Sequence, residues 1–139
     1  MEVLLEERAT AGGAQERLLR AFEALQALSP DEMRATLTAA SQLVAETFGA
    51  EKVDVLLYQE IGQTLEAVGT SDTPLGRHQH AIGLHRLPLA NGGRAVQVFR
   101  TGTPFRDGHV EQDGEELLGI REGLGVRSTV AVPLVVAGV

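Results

Sequence analysis

Hydrophobic residues recur at helical spacing in the first third of the chain. Segment 14–28 has an apolar residue every three or four positions and ends at Ser29–Pro30, because the residue before a proline disfavours a helix. Segment 31–48 repeats this spacing, with Ser29 or Asp31 as its N-cap. The pattern therefore predicts two helices in series. The predicted apolar face of the second helix consists of Met33, Leu37, Ala40, Val44 and Phe48, with Leu43 beside it.

The spacing then changes from helical to strand-like. Residues 52–59 alternate and become wholly apolar, and residues 64–70 alternate again. The polar stretch Glu60–Gln63 between them predicts a turn, so residues 52–70 are expected to form a β-hairpin. The following segment, 71–81, is polar and predicts a loop.

The second half of the chain predicts one helix between short extended segments. Residues 82–89 are expected to be extended, and Asn91 is the expected N-cap of a helix over residues 92–100. The buried side of this helix is predicted to contain Ala95, Val96, Val98 and Phe99. The remaining predicted elements are a short strand at 103–106, a short helix near 115–119 within the acidic segment 107–122, and the strongest strand signal of the chain at 126–136.

Composition and charge narrow the class of protein. A chain of 139 residues is the size of one domain, and the absence of cysteine excludes disulfides, a thiolate nucleophile, a cysteine zinc site and a thioether-linked cofactor. A formal charge of -7 argues against nucleic-acid binding. Since no apolar run approaches ~18 residues and no signal-peptide pattern opens the chain, we expect a cytoplasmic protein without membrane insertion.

The histidines are the candidate ligands for a metal or haem: His78, His80, His85 and His109. In a strand, His78 and His80 would share one face and, with one more ligand, hold a metal. Their polar surroundings instead favour solvent-exposed imidazoles, so we expect no metal site. His85 lies among apolar residues, and alternation leaves open whether it faces a ligand pocket or the solvent.

The remaining polar motifs contain no catalytic signature. The helix start Asn91–Arg94 offers free backbone amides and an arginine to an anion, although such helix starts are common without a ligand. The acidic residues from Asp107 onward do not form an EF-hand loop, because Gln112 and Leu118 stand at its sixth and twelfth positions. Ser128 has no nucleophile-elbow context, and the sequence therefore predicts a protein that is not an enzyme.

The order of elements and three motifs resemble the GAF domain, a family of small-molecule sensor modules in bacterial signalling proteins such as histidine kinases. The motifs are VDVLLYQEIGQTLEAVGT, GRAVQVFRTGTPFRD and GLGVRSTVAVPLVVAG, and together with helix 31–48 they extend over residues 31–138. The resemblance implies an α+β fold, in which a GAF/PAS-like antiparallel β-sheet carries N-terminal helices on one face. It divides the chain into an N-terminal helical extension, residues 1–30, and a GAF-like domain, residues 31–139.

The sequence departs from this family in three respects. The absence of cysteine excludes a covalently bound bilin and thiol-dependent chemistry. The signature of the cyclic-nucleotide-binding members is also missing. The chain ends where the family continues into a last, central strand, so the resemblance implies an incomplete domain. We expect its open strand edges to pair with another copy, or the chain to be a fragment of a longer sensor.

The resemblance implies a non-enzymatic sensory module of a cytoplasmic signalling protein that binds an unidentified small molecule, forms a homodimer, or does both. The alternatives are a ligand-free dimerisation scaffold, a small GAF-like enzyme, or a haem or metal sensor. The expected ligand-binding residues are His85, Arg94, Phe99, Phe105, Asp107 and Ser128. The expected dimer contact lies on helix 14–28, at Leu18, Phe22 and Leu25.

Overall fold

The computed structural model describes residues 29–135 and, before them, five helical residues: Gly13, Glu16, Arg20, Glu23 and Ala27. The chain divides into two units between Thr36 and Leu37. The predicted dimer contact at Leu18, Phe22 and Leu25 lies outside the described residues. No helix within the described ranges has the length and apolar content needed to cross a membrane.

The chain has an α+β fold with antiparallel sheets. The helices are α1 (Pro30–Phe48), α2 (Pro74–Ala81) and α3 (Arg94–Thr101). The strands are β1 (Asp54–Gln59), β2 (Thr64–Thr70), β3 (Arg86–Pro88), β4 (Phe105–Asp107) and β5 (Thr129–Ala131). Shorter helical turns lie at Leu89–Asn91, Val110–Gln112 and Gly119–Gly123.

The strands form two separate sheets, with orders β1-β2-β3 and β4-β5. The predicted hairpin is confirmed, because Gln59 pairs with Thr64 across a turn in which Gly62 has a φ of 89°. The prediction of a long strand over 126–136 was wrong, since the ladder with β4 covers only Thr129–Ala131. Within the described ranges, β1 and β5 each pair along one edge only.

Helix α1 is confirmed, but its predicted apolar face was only partly right: Met33 and Leu37 are partly buried, whereas Ala40, Val44 and Phe48 are exposed. Ser29 and Glu32 form a capping box at its start, each side chain accepting the backbone N–H of the other residue. The side chains buried along the helix are those of Ser41 and Ala45. Small residues lie on this side because α1 approaches the sheet closely. The larger apolar side chains Leu43, Val44 and Phe48 are exposed.

Helix α2 replaces the predicted loop over 71–81. Thr73 is its N-cap and accepts the backbone N–H of Gly76, and Pro74 stands at the first helical position. The buried amide of Gln79 donates to Asp54 of β1 at 3.0 Å. Asp54 also accepts hydrogen bonds from Lys52 and from the hydroxyl of Thr70. This carboxylate therefore joins both strands of the hairpin to α2.

The hydrophobic core lies between the first sheet and α3. Leu65 of β2, Leu87 of β3 and Val96 of α3 are buried at its centre. Partly buried apolar residues surround them: Leu56, Leu84, Leu89, Ala95 and Leu117. The core therefore fixes α3 against the sheet by its buried side and leaves its other side free.

Two expectations around α3 and the acidic segment need correction. Asn91 was predicted to be the N-cap of this helix, but it ends a short turn and Gly93 is the N-cap. The short helix expected near 115–119 is absent from the described structure. The acidic segment contains the turn Val110–Gln112 instead and ends in a π-helical turn at Gly119–Gly123.

Candidate functional site

Helix α3 and strand β4 border an open surface pocket of about 290 Å³. Its lining residues are Arg94, Gln97, Val98, Thr101, Thr103, Pro104 and Phe105. They come from one side of α3 and from the turn that follows it. Gly102 makes this turn with a left-handed φ of 66°, which brings Phe105 back towards the helix.

Arg94 forms one side of the pocket and connects it to the acidic segment. Its Nε and Nη2 each donate to a carboxylate oxygen of Asp113 at 2.7 Å. Its Nη1 donates to Gln97 Oε1 at 2.6 Å and lies 2.8 Å from Glu115 Oε2. The guanidinium carbon is 4.6 Å from the centroid of the Phe105 ring. The planar group is therefore fixed by a bidentate carboxylate, an amide and an aromatic ring.

A carboxylate from the acidic segment caps the start of α3. Buried Glu116 accepts the backbone N–H of Arg94 at 3.2 Å and that of Leu117 at 2.8 Å. Gly93 has a φ of 92°, and a Cβ there would lie 2.7 Å from Leu117 Cγ. Glycine at this N-cap position therefore makes room for a remote carboxylate, which takes the role of a local capping side chain.

The charges of Arg94 and Asp113 compensate each other. Their side chains are 18% and 7% exposed. The hydrogen bonds from Arg94 hold the pKa of Asp113 below its usual range, against the opposing effect of desolvation, and the charge of Arg121 acts in the same direction. The bond to Asp113 likewise raises the pKa of Arg94. The pair is therefore ionised at neutral pH.

The structure brings two of the expected ligand-binding residues together, Arg94 and Phe105. Phe99 does not line the pocket, although it lies on α3. Its ring stacks on that of Tyr58 with the centroids 5.0 Å apart. The prediction that Phe99 is buried was wrong, because 44% of it is exposed.

Asp107 and Ser128 also lie apart from the pocket lining. Asp107 Oδ1 accepts the backbone N–H of His109 at 2.8 Å, a local contact that shapes the turn after β4. Ser128 is exposed and precedes β5.

The histidines form contacts outside the pocket. His80 of α2 and His85 stack with parallel rings whose centroids are 4.6 Å apart, and His78 lies 3.1 Å from the carbonyl oxygen of Gly123. The Nδ1 atom of His85 is buried and has no partner among the described residues. Since α2 is a helix, His78 and His80 do not share a strand face. Within the described ranges, no group of three His, Asp or Glu side chains is placed to hold a metal ion.

Sequence reasoning missed most of the pocket residues. Positions 94, 97 and 101 share one face of α3, so helical periodicity was the signal for Gln97 and Thr101. Asp113 and Glu116 had no comparable signal, because both belong to a run of similar acidic residues.

Comparison with known proteins adds no identity to this geometry. No family model matches the chain, and no curated protein matches it. The resemblance to the GAF domain therefore rests on the sequence motifs and on the order of the elements, and it stays a prediction.

Proposed function

We propose that the chain is a non-enzymatic sensory module, similar to the GAF domains of cytoplasmic bacterial signalling proteins, and that it binds a small molecule between α3 and β4. The pocket carries this proposal. It combines apolar lining residues with a few fixed polar groups, as small-molecule sites do. Arg94 contacts the pocket on one side and the acidic segment on the other.

This shared arginine supplies a route from ligand to conformation. A ligand that contacts Arg94 or Phe105 changes the surroundings of the side chain that holds Asp113. A ligand shifts a conformational equilibrium only by its difference in affinity for the two states. Contact with the Arg94 guanidinium, which joins α3 to the acidic segment, provides such a difference in affinity. A signalling protein would transmit the resulting change in conformation to its partner or output domain.

A thermal-shift screen with a library of metabolites tests the proposal. Thr103→Trp places a large ring in the pocket, and Thr38→Trp places the same ring on an exposed position of α1 as the matched control. A true ligand should stabilise the wild type and the Thr38→Trp variant, by about 2.7 kcal/mol at a hundredfold excess over Kd, but not the Thr103→Trp variant.

Compounds that stabilise both tryptophan variants equally bind elsewhere and contradict the assignment of the pocket. A screen in which no compound stabilises the wild type also contradicts it. Native mass spectrometry of freshly purified protein adds a second readout, because a ligand retained from the cell increases the mass of the wild type.

A ligand-free dimerisation scaffold is the second candidate. The observation that favours it is the exposure of large apolar side chains on α1 and β5, including Phe48 at 79% and Val130 at 75%. Exposed apolar surface often marks a protein–protein contact. If the chain is such a scaffold, it should form a stable dimer, and no small molecule should change its thermal stability through the pocket.

A further inference from the structure

The arginine in the pocket has no uncompensated charge to offer a ligand. Asp113 takes two of its hydrogen bonds and Glu115 lies beside Nη1. The charged groups of this cluster are three acids and two arginines, so negative charges outnumber positive ones: Asp113, Glu115, Glu116, Arg94 and Arg121. With a net charge of -7 on the whole chain, the pocket does not attract anions.

The polar groups that remain available in the pocket are uncharged. A guanidinium only donates hydrogen bonds, so Gln97 presents its oxygen to Arg94 and keeps its NH₂ group for another partner. The hydroxyl of Thr103 is paired with no residue of the described ranges, while its backbone N–H donates to Thr101. The pocket therefore offers a fixed amide donor and a hydroxyl.

The other lining groups are apolar. Val98 is buried, Phe105 is half-buried, and Pro104 lies beside it. A cavity of about 290 Å³ is at the lower end of the range of ligand pockets, roughly 300 to 1,000 Å³. A small molecule with an apolar body suits the size and the apolar lining of this space.

We propose that the pocket binds a small uncharged molecule with a hydrogen-bond acceptor, such as a carboxamide, and discriminates against the matching carboxylate. The acceptor pairs with the NH₂ group of Gln97, and the apolar body lies against Val98 and Phe105. A carboxylate loses its hydration without gaining a free cation in return. This inference rests on the proposed function and names the class of its ligand.

Benzamide and benzoate are matched probes, since they have the same ring and similar size and differ in charge. Their affinities for the full chain can be measured by titration in ¹H–¹⁵N NMR spectra, in which the side-chain amide of Gln97 reports on the pocket. We expect benzamide to shift this signal and to bind at least about threefold more tightly than benzoate. The reason is that the benzoate charge is repelled by the carboxylates around Arg94, which lie within several ångströms.

Glu115→Gln is the informative variant. The Glu115 carboxylate is 73% exposed, so removing its charge leaves the fold intact and frees Arg94 Nη1 from one charged partner. Benzoate should gain about threefold in affinity for this variant, and benzamide should change little. Glu111→Gln, an exposed acid of the same segment that is not paired with Arg94, is the control and should leave both affinities unchanged.

The possible results separate the two levels of the proposal. Equal or tighter binding of benzoate by the wild type overturns the ligand class, while the pocket stands as a binding site. Unchanged benzoate affinity in Glu115→Gln overturns the role of charge compensation. If neither probe shifts the Gln97 signal at any concentration up to the probe's solubility limit, both the ligand class and the proposed function are contradicted.

Discussion

Single polar side chains connect elements of this molecule at two places outside the hydrophobic core. Asp54 joins the hairpin to α2, and Arg94 joins α3 to the acidic segment. Each has several partners, as expected where an unpaired buried polar group costs about 1 to 3 kcal/mol. Ser41 is an exception, because its buried hydroxyl has no partner among the described residues.

Replacement of Ser41 by alanine should therefore raise the free energy of unfolding by about 1 kcal/mol, since it removes an unsatisfied buried group and keeps the small volume. Ser29→Ala is the matched control with the opposite sign. It removes the capping box with Glu32 and should cost about 1 kcal/mol. Urea denaturation measures both, and a loss in Ser41→Ala as large as that in Ser29→Ala contradicts the prediction.

Asp113 makes stability depend on pH in the acid range. Its pKa is lower in the folded chain than the ordinary value of about 3.9, so its contribution is present above that value and is lost as the pH falls through the folded pKa. Asp113→Asn should cost about 1 to 3 kcal/mol at pH 7 and flatten the stability curve below about pH 4. Glu115→Gln should change stability by about 0.5 kcal/mol or less, because this side chain is exposed.

Unfolding curves recorded from pH 3 to pH 7, roughly the span over which aspartate titrates, measure this effect. If Asp113→Asn and the wild type lose stability in parallel on acidification, the bidentate contact does not have the assigned role. A larger loss in Glu115→Gln than in Asp113→Asn also contradicts it.

At the scale of elements, local signals separate what was predictable from what was not. The hairpin was predictable because its alternation and its turn lie within one short segment, 52–70. Helix α2 was missed because its eight residues lack an apolar stripe. The signal it does contain is capping chemistry, with Thr73 followed by Pro74 at the first helical position.

The candidate site was predictable only in part, for a related reason. Arg94 and Phe105 belong to one helix–turn–strand unit, so their proximity follows from local structure. The contact of Arg94 with Asp113 spans 19 residues, and the sequence does not distinguish Asp113 from neighbouring acids. Packing makes that choice, because fully buried Val110 and the cap by Glu116 fix the segment on either side of it.

The orientation of α1 depends on a glycine of the neighbouring strand. Periodicity selected the face with the largest apolar residues, but the helix buries Ser41 and Ala45. At Gly69 of β2, a Cβ would lie 2.5 Å from the backbone carbon of Leu37, so no side chain fits between the helix and the strand. This close approach favours small residues on the buried side of α1.

Gly69→Ala should therefore destabilise the fold by about 1 to 3 kcal/mol, since α1 or β2 has to shift to admit the methyl group. Gly108→Ala is the matched control, because nothing lies within 4 Å of a Cβ there. It should change stability by about 0.5 kcal/mol or less. Thermal unfolding of both variants measures the difference, and equal melting temperatures would falsify the close approach of α1.

At the scale of the whole molecule, apolar surface is exposed on more than one element. Leu43, Val44 and Phe48 are exposed on α1, and Val130, Val132 and Leu134 are exposed in and after β5. Residues 129–134 alternate between partly buried and exposed although only three of them belong to the ladder. Among the described strands, β1 and β5 each pair along one edge only, and together with the exposed apolar residues this favours association between copies.

The sequence predicts a homodimer with its contact on helix 14–28, and both parts of this prediction can be tested directly. Leu18→Glu combined with Phe22→Glu should convert the predicted dimer into a monomer, because two charges would be buried in the contact. Ile61→Glu, in the hairpin turn and 97% exposed, is the control and should leave the dimer intact. Sedimentation equilibrium measures the mass, and an unchanged mass in the double variant rejects this helix as the contact.

The stacking of Tyr58 on Phe99 has a practical consequence for spectroscopy. Tyr58 is the only tyrosine, and the chain has no tryptophan, so ultraviolet fluorescence excited near the tyrosine band comes from one position. That position lies where β1 meets α3, the helix that also borders the pocket. The wild-type chain therefore contains its own optical probe of this junction, and events at α3 can be followed without an added label.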